Sequence, residues 1–335
     1  MSNSPFDNLP QLTKEEALNI LKTPINELNL SSDYYKAVFH LSKYPCLETE
    51  ESLLTLLKSE DKSQAIVIAR RKSIEVLARI GCKRAIPLIA KTLDSDDPYV
   101  VENATWALQE LNCTDTKVHK SIGKLLEKPN QNQRVLIQSL ANMNAISELP
   151  NIEKILHNTY SLPFVRGAAI AAIKKLTGEN NYIEELKSYL SVPNQNNRQS
   201  AVEDIINANA IELLPDIVET AISPSFKLRA IESLCSIQLD NKKNKIIFKL
   251  LETVLIDNPS NILTLHCFAD MPSKDFLVQQ LFSTDFSKCY LALNILKSLK
   301  FEEIWPVINN SWELFRKDYG AVYFLILLLR SFNGV

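Results

Sequence analysis

The sequence predicts an all-α fold, an α-solenoid (superhelix) of stacked helix–turn–helix repeats. Three observations predict it. One apolar pattern recurs at a near-constant interval of about 32 residues. A second amphipathic segment lies between successive copies, so each unit reads as helix, short turn, helix. Glycine is scarce, with six in 335 residues. That is too few for the hairpins of an all-β chain or the Gly-rich turns of nucleotide-binding α/β enzymes, and no GxGxxG or GxxxxGK[ST] occurs.

In chain order, residues 1–30 read as an N-terminal cap or partly disordered segment, and 31–335 as one continuous repeat array without a linker. The array opens with "DYYKAVFHLSKY" and "ESLLTLLKSE". Its clearest copies are "ARRKSIEVLARIG", "VVENATWALQEL", "QRVLIQSLANM", "VRGAAIAAIKKL", "RQSAVEDIINA" and "KLRAIESLCSI". Anchored on Leu77, Leu108, Leu140, Ile173, Ile205 and Leu234, they step by 31, 32, 33, 32 and 29 residues. The partner segments between them include "AIPLIAKTLDS", "LPNIEKILHN" and "LLPDIVETAIS". Pro87 and Pro215 suit a first helical turn, where no N–H is needed, and Asp97 followed by Pro98 reads as N-cap then first position. One helix pair cannot bury both faces, so pairs must stack, as in HEAT-like repeats. Weaker copies follow as "NILTLHCFADM", "CYLALNILKSL" and "AVYFLILLLRSF".

Composition narrows function. A net charge of −2 gives no basic surface for nucleic acid. The start, "MSNSPFDNLP", has neither a basic region nor an apolar run, so no signal peptide is expected. The most apolar run, Ala321 to Arg330, is about half the ~20 residues of a spanning helix and is expected as a buried terminal helix, with no membrane insertion. The six cysteines are scattered, without metal-like spacing, and read as reduced, mostly buried thiols; no metal is expected. In "TLHCFAD", Cys267 is expected to be buried and His266 partly exposed, because adjacent helix residues do not face each other.

One stretch carries chemistry. At about 100° per residue, Val101, Ala104, Leu108 and Leu111 form one helix face. Glu102, Trp106, Gln109 and Glu110 lie opposite. Trp106 therefore either packs on a neighbouring repeat or faces the concave groove that this helix lines in HEAT architectures. The slots matching Glu102 and Trp106 hold Arg71 and Glu75 one repeat back, Arg134 and Gln138 one repeat on, and then Gly167 and Ala171. If the register holds, charge and aromatic surface adjoin a bare patch. A planar carboxylated molecule could stack on Trp106 and pair with the arginines. The same residues could equally be solvated helix-face ion pairs.

The run "DDPYVVENATWAL", preceded by "ARRKSIEVLARIGCKRAIPLIAKTL", resembles the E/F-type phycobilin lyases (CpcE/CpeY-type), most strongly over Ser63 to Leu111, fading to generic HEAT pattern after about residue 180. The resemblance implies a lyase that attaches an open-chain tetrapyrrole, phycoerythrobilin or phycocyanobilin as the transferred substrate, to a cysteine of a phycobiliprotein α or β subunit such as phycoerythrin or phycocyanin. The bond is a thioether, formed as the acceptor thiolate adds to the bilin's ethylidene group. A second E/F-type subunit is an implied partner, and the compartment is the cyanobacterial cytosol or, in an alga, the plastid stroma. On this basis Glu102 and Glu75 are the expected proton-handling residues. Arg70, Arg71 and Arg134 would hold propionates, Tyr99 and Trp106 would stack, and Asn103 joins the bilin-binding set.

Two other functions are consistent with a HEAT-like scaffold. One is a non-catalytic adaptor that binds a protein in the groove. The other is the HEAT-repeat deoxyhypusine hydroxylase, which needs His-Glu pairs as iron ligands; none of the four histidines here precedes a glutamate. Neither GxSxG nor HExxH occurs.

Overall fold

The structure is a computed structural model that describes residues 11–28, 30, 32–235, 241–269 and 272–332, with the backbone alone for 241–244. The fold is all-α and HEAT-like, with twenty α-helices and no strand among the described residues, apart from one isolated bridge between Thr220 and Asn261. The chain divides into two compact units, Met1–Asn158 and Thr159–Val335.

The first unit contains α1 (Lys14–Lys22), α2 (Asp33–Leu41), α3 (Leu47–Lys58), α4 (Gln64–Arg79), α5 (Ile86–Lys91), α6 (Pro98–Glu110), α7 (Thr116–Leu125), α8 (Gln133–Asn142) and α9 (Leu149–His157). Helix α1 starts at a capping box, with Thr13 and Glu16 each bonding the other's backbone N–H, and it packs on α2 and α3. The expectation for residues 1–10 lies outside the described residues. Helices α2, α4, α6 and α8 stack in succession, while α3 packs on α4 and α5, and α7 on α8 and α9. On α6 the apolar face is fully covered: Val101, Ala104 and Leu108 are 0% exposed. Truncating Leu108 to alanine there would cost ~2–5 kcal/mol in lost transfer energy and cavity.

Four of the stacking helices end by one repeated device. Gly81, Asn112, Asn144 and Asn209 all have positive φ, between 50° and 75°. At each, the next residue's N–H bonds the carbonyl five positions back: Cys82 to Leu77, Cys113 to Leu108, Ala145 to Leu140, and Ala210 to Ile205, at 2.9–3.1 Å. This is the Schellman termination, which needs a left-handed residue and buries the apolar one after it. Cys82, Cys113, Ala145 and Ala210 are all at most 2% exposed. Four of the six residues that anchor the repeat in sequence are thus the carbonyls that close the helix. A 3₁₀ turn and a helix with proline in its first turn follow at Pro87, Pro150 and Pro215.

The second unit contains α10 (Pro163–Thr177), α11 (Glu185–Tyr189), α12 (Gln195–Asn207), α13 (Leu214–Val218), α14 (Pro224–Cys235), α15 (Asn241–Ile256), α16 (Lys274–Gln280), α17 (Phe286–Lys297), α18 (Phe301–Asn310), α19 (Trp312–Phe315) and α20 (Tyr319–Leu329). Helices α10, α12 and α14 stack in succession. The guanidinium of Arg198, 2% exposed, donates to the carbonyls of Val192, Pro193 and Ala221 and pairs with Asp285 at 2.6 Å.

Three expectations need correction here. Of "NILTLHCFADM", the described residues 261–269 do not form a repeat helix, and the last two lie outside the described residues. Asp257 ends α15 with φ 48°, and Pro259, which lacks an N–H, stops the chain from continuing helically. His266 and Cys267 sit on a short 3₁₀ turn, so both are exposed, rather than the thiol being buried. The terminal helix α20 buries Ala321, Phe324, Leu325 and Leu328, but Ile326 on its other side is 58% exposed. No helix among the described residues is long and apolar enough to cross a membrane.

Beneath α17 and α20 lies a buried polar hub. The Asp257 carboxylate accepts hydrogen bonds from Tyr290 Oη at 2.7 Å and Tyr323 Oη at 2.5 Å, and it pairs with Lys227 Nζ at 3.1 Å. Lys227 and Asp257 are 0% and 1% exposed. Burial pulls Lys227 below the ordinary lysine range, and the Asp257 charge opposes that. Burial first, then the same carboxylate, pushes the Tyr290 and Tyr323 hydroxyls up, which keeps them protonated as donors.

Candidate active site

Helix α6 builds the site from its N-terminus. Asp97 caps the helix by accepting from the Tyr99 N–H at 2.9 Å, and Pro98 occupies its first turn. The second Asp97 oxygen faces Arg71 on α4, with Oδ2 to Nη1 3.7 Å. Asn103 Nδ2 donates to the Arg71 carbonyl at 2.8 Å. Arg71 is therefore steadied through both its backbone and its side chain. The long, half-exposed ion pair contributes no more than ~1 kcal/mol. Of the guanidinium's five N–H donors, most stay available.

These residues surround an open recess of about 350 Å³, lined by Arg71, Tyr99, Glu102, Asn103, Trp106 and Val135. Sites for small molecules commonly have ~300–1,000 Å³, so this one accommodates an end of a large ligand rather than all of it. Trp106 is half-buried, and Tyr99 is 69% exposed. The Arg79 guanidinium lies 5.9 Å from the Trp106 ring centroid, at the outer reach of a cation–π contact. The Glu102 carboxylate has no ion-pair or hydrogen-bond partner among the described residues.

Five of the eight expected site residues thus meet in one recess, and three do not. Glu75 is bound on both sides, to Lys72 at 2.7 Å and Arg79 at 3.0 Å. Its carboxylate holds the arginine that covers Trp106 and does not face the recess. Arg70 turns the other way and donates to the Ser59 carbonyl. Arg134 is not among the lining side chains; its neighbour Val135 forms that wall. The bare patch expected at Gly167 and Ala171 is absent. Both lie in the second unit and are buried, and a Cβ at Gly167 would collide with the Asp204 carboxylate.

Arg79 and Val135 were not singled out from sequence, and Asp97 was read there only as the helix cap. Arg79 follows Glu75 at i+4, the spacing at which helical side chains meet. Chemically, the recess offers a cation for a carboxylate, a flat aromatic surface, and one unpaired carboxylate that can accept an N–H or exchange a proton.

Comparisons with known proteins agree with this architecture. A model of the HEAT-repeat family matches residues 50–141. The bilin biosynthesis protein CpeY of Synechococcus sp. (strain WH8020) is 38% identical over 307 residues, covering 91% of this chain and 73% of CpeY. The likeness thus runs well past the motif around Trp106. The phycocyanobilin lyase subunit alpha of Nostoc sp. (strain PCC 7120) is 27% identical over 72% of this chain and 91% of that subunit. A chain in the solved complex of CpcE and CpcF, the phycocyanin lyase of Nostoc sp. PCC7120, superposes with a TM-score of 0.59 at 26% identity, covering 76% of this chain and 99% of that one. The chain belongs to the E/F-type phycobilin lyase family.

Proposed function

We propose that this chain is a lyase that holds an open-chain tetrapyrrole against the α4–α6–α8 face and promotes its thioether attachment to a cysteine of a phycobiliprotein subunit. The observation that carries the proposal is the meeting of Arg71, Glu102 and Trp106 around one recess, in a family whose named members act on bilins. The substrate is a phycobilin, phycoerythrobilin or phycocyanobilin, and the acceptor an α or β subunit. A second E/F-type subunit is the further partner, by likeness to CpcE, which is seen in complex with CpcF. The compartment is the cyanobacterial cytosol or the plastid stroma.

In the reaction, the acceptor's thiolate adds to the ethylidene carbon of the bilin. A carbon–sulfur bond forms, the π pair shifts into the ring system, and a proton is taken up there. The chain's part is first to orient the bilin: Arg71 fixes a propionate, while Trp106 and Tyr99 press one face of a ring. Orientation alone can supply several kcal/mol of a barrier, up to ~7–11. Glu102 accepts a pyrrole N–H and stands where a proton can be delivered or removed, a contribution of ~100-fold or more. Arg79, held by Glu75, stiffens the back of Trp106.

Coexpression with bilin synthesis and candidate phycobiliprotein subunits tests this, with mass spectrometry to locate the adduct. Trp106→Ala should lower adduct yield about tenfold through the lost stacking surface, and Glu102→Gln by ~100-fold. Helix content should be unchanged in both. Wild-type yield in both variants removes the site. No adduct on any subunit, with or without a second lyase subunit, supports the adaptor function instead.

A further inference from the structure

A second recess, of about 600 Å³, opens in the second unit beside the end of α15, the end of α17 and the end of α20. Two cations line it, Lys297 and Arg330, with the neutral polar groups of Asn258, Asn294 and Ser331 beside them and the apolar walls of Ile256 and Leu327. No acidic side chain lines it. Neither cation has an ion-pair partner among the described residues. Burial depresses Lys297 below the usual lysine range; Asp257 opposes this, and the nearby Arg330 charge adds to it.

The carboxylate whose charge acts on Lys297 is bonded elsewhere. Asp257 accepts from Tyr290 and Tyr323 and pairs with Lys227. Asp257 attracts Lys297 more than Arg330 repels it, but it makes no ion pair with either cation, so a bound anion can still pair with both. Asp257 lies between Ile256 and Asn258, so the hub that pins it also fixes one side of the recess before any ligand arrives. The apolar walls favour an anion carried on an apolar body over a hydrated inorganic ion.

We propose that this recess binds the carboxylate of an apolar-bodied ligand, and that the propionates of an open-chain tetrapyrrole are the carboxylates it takes; the second clause rests on the function proposed above. Arginine forms the paired hydrogen bonds to a carboxylate, and lysine adds a point charge. The recess is distinct from the one at Trp106. It would hold a tetrapyrrole by its acid ends, with no carboxylate lining it.

The test uses the full chain and three probes: biliverdin, its dimethyl ester, and octanoate, an apolar carboxylate with no tetrapyrrole. Binding is followed by absorbance for the pigments and by calorimetry for octanoate. Lys297→Gln/Arg330→Gln should weaken one class of biliverdin sites, and octanoate binding, by about 10- to 100-fold, the loss expected for charge-assisted hydrogen bonds. The ester should show the same weakening on the wild-type chain. Lys297→Arg/Arg330→Lys keeps both charges and should retain binding, with circular dichroism checking the fold of each variant. Unchanged binding of all probes in the Gln pair overturns the proposal. The arms separate this proposal from the function above. Loss of biliverdin in Trp106→Ala but not in the Gln pair leaves that function standing and sinks the recess. Charge-dependent octanoate binding with no biliverdin binding leaves a carboxylate recess and removes the tetrapyrrole from it.

Discussion

Glu102 in the first unit and Asp257 in the second are both carboxylates set near a tyrosine and a cation, yet their situations are opposite. Asp257 is 1% exposed and accepts from two tyrosine hydroxyls and a buried lysine. Its bonding capacity is spent inside the fold. Glu102 sits at an open recess with no partner among the described residues, and the nearby arginine is only loosely paired with Asp97. The contrast teaches which carboxylate can act on another molecule. A saturated buried acid specifies packing, whereas an unpaired one at a surface recess costs little to keep and stays available.

The comparison can be broken most severely at the hub. Asp257→Ala strands the buried Lys227 charge and should cost ~3–5 kcal/mol, read as a lowered urea midpoint. Replacing both partners, as Lys227→Met with Asp257→Leu, should recover part of that loss. If Asp257→Ala melts like wild type, the hub is not structural. A middle effect is expected at the repeat caps. Asn112→Ala places a Cβ-bearing residue without a polar side chain at φ 51° and should cost ~1–2 kcal/mol. Asn112→Gly should cost nothing or stabilise slightly, in the same denaturation assay. Glu102→Gln should change stability by less than ~0.5 kcal/mol, as for a half-buried polar side chain with no partner among the described residues to lose, while bilin transfer falls. A large loss of stability there would erase the distinction between the two acids.

The smallest effect is a pH slope from a buried histidine of the first unit. His40 is 2% exposed, and neither ring nitrogen has a hydrogen-bond partner. Burial first, then the nearby Lys43, lowers its pKa below the unfolded value of ~6.5. Between the two values the unfolded chain binds more protons, so stability is full above pH ~6.5 and declines as pH falls below it. Thermal melts from pH 7.5 down to 5 should show this decline, and His40→Leu should flatten it.

The solenoid was legible because repetition multiplies a weak local signal. Leu77, Leu108, Leu140 and Ile205 fall in register for a physical reason, since each supplies the carbonyl that ends its helix. Tyr99, Glu102, Asn103 and Trp106 were legible because they share one helix, and Arg71 because the preceding repeat has the same angle. A wheel gives angle but neither reach nor prior commitments, so it could not tell that Glu75 was claimed by Lys72 and Arg79, or that Arg70 turns to Ser59. Extending the strip to Gly167 failed because the slot is filled by Asp204 of α12. The hub was invisible, since it joins positions 227, 257, 290 and 323, which no local pattern connects. Residues 261–269 were misread as helix from their apolar spacing, although Pro259 and Pro272 bracket the stretch in sequence.

The Schellman caps also make sense of two cysteines that look scattered in sequence. Cys82 and Cys113 stand 31 residues apart, each closing its own repeat. Burial, with a hydrogen bond to Glu50, pushes the Cys82 thiol up to about 11, and burial raises Cys113 as well. A thiol reagent can reach either one only when its helix end comes apart, whereas Cys267 stands exposed from the start. The first unit therefore carries two internal clocks, one per repeat, and timed alkylation would read how often each repeat breathes and whether a bound ligand slows it.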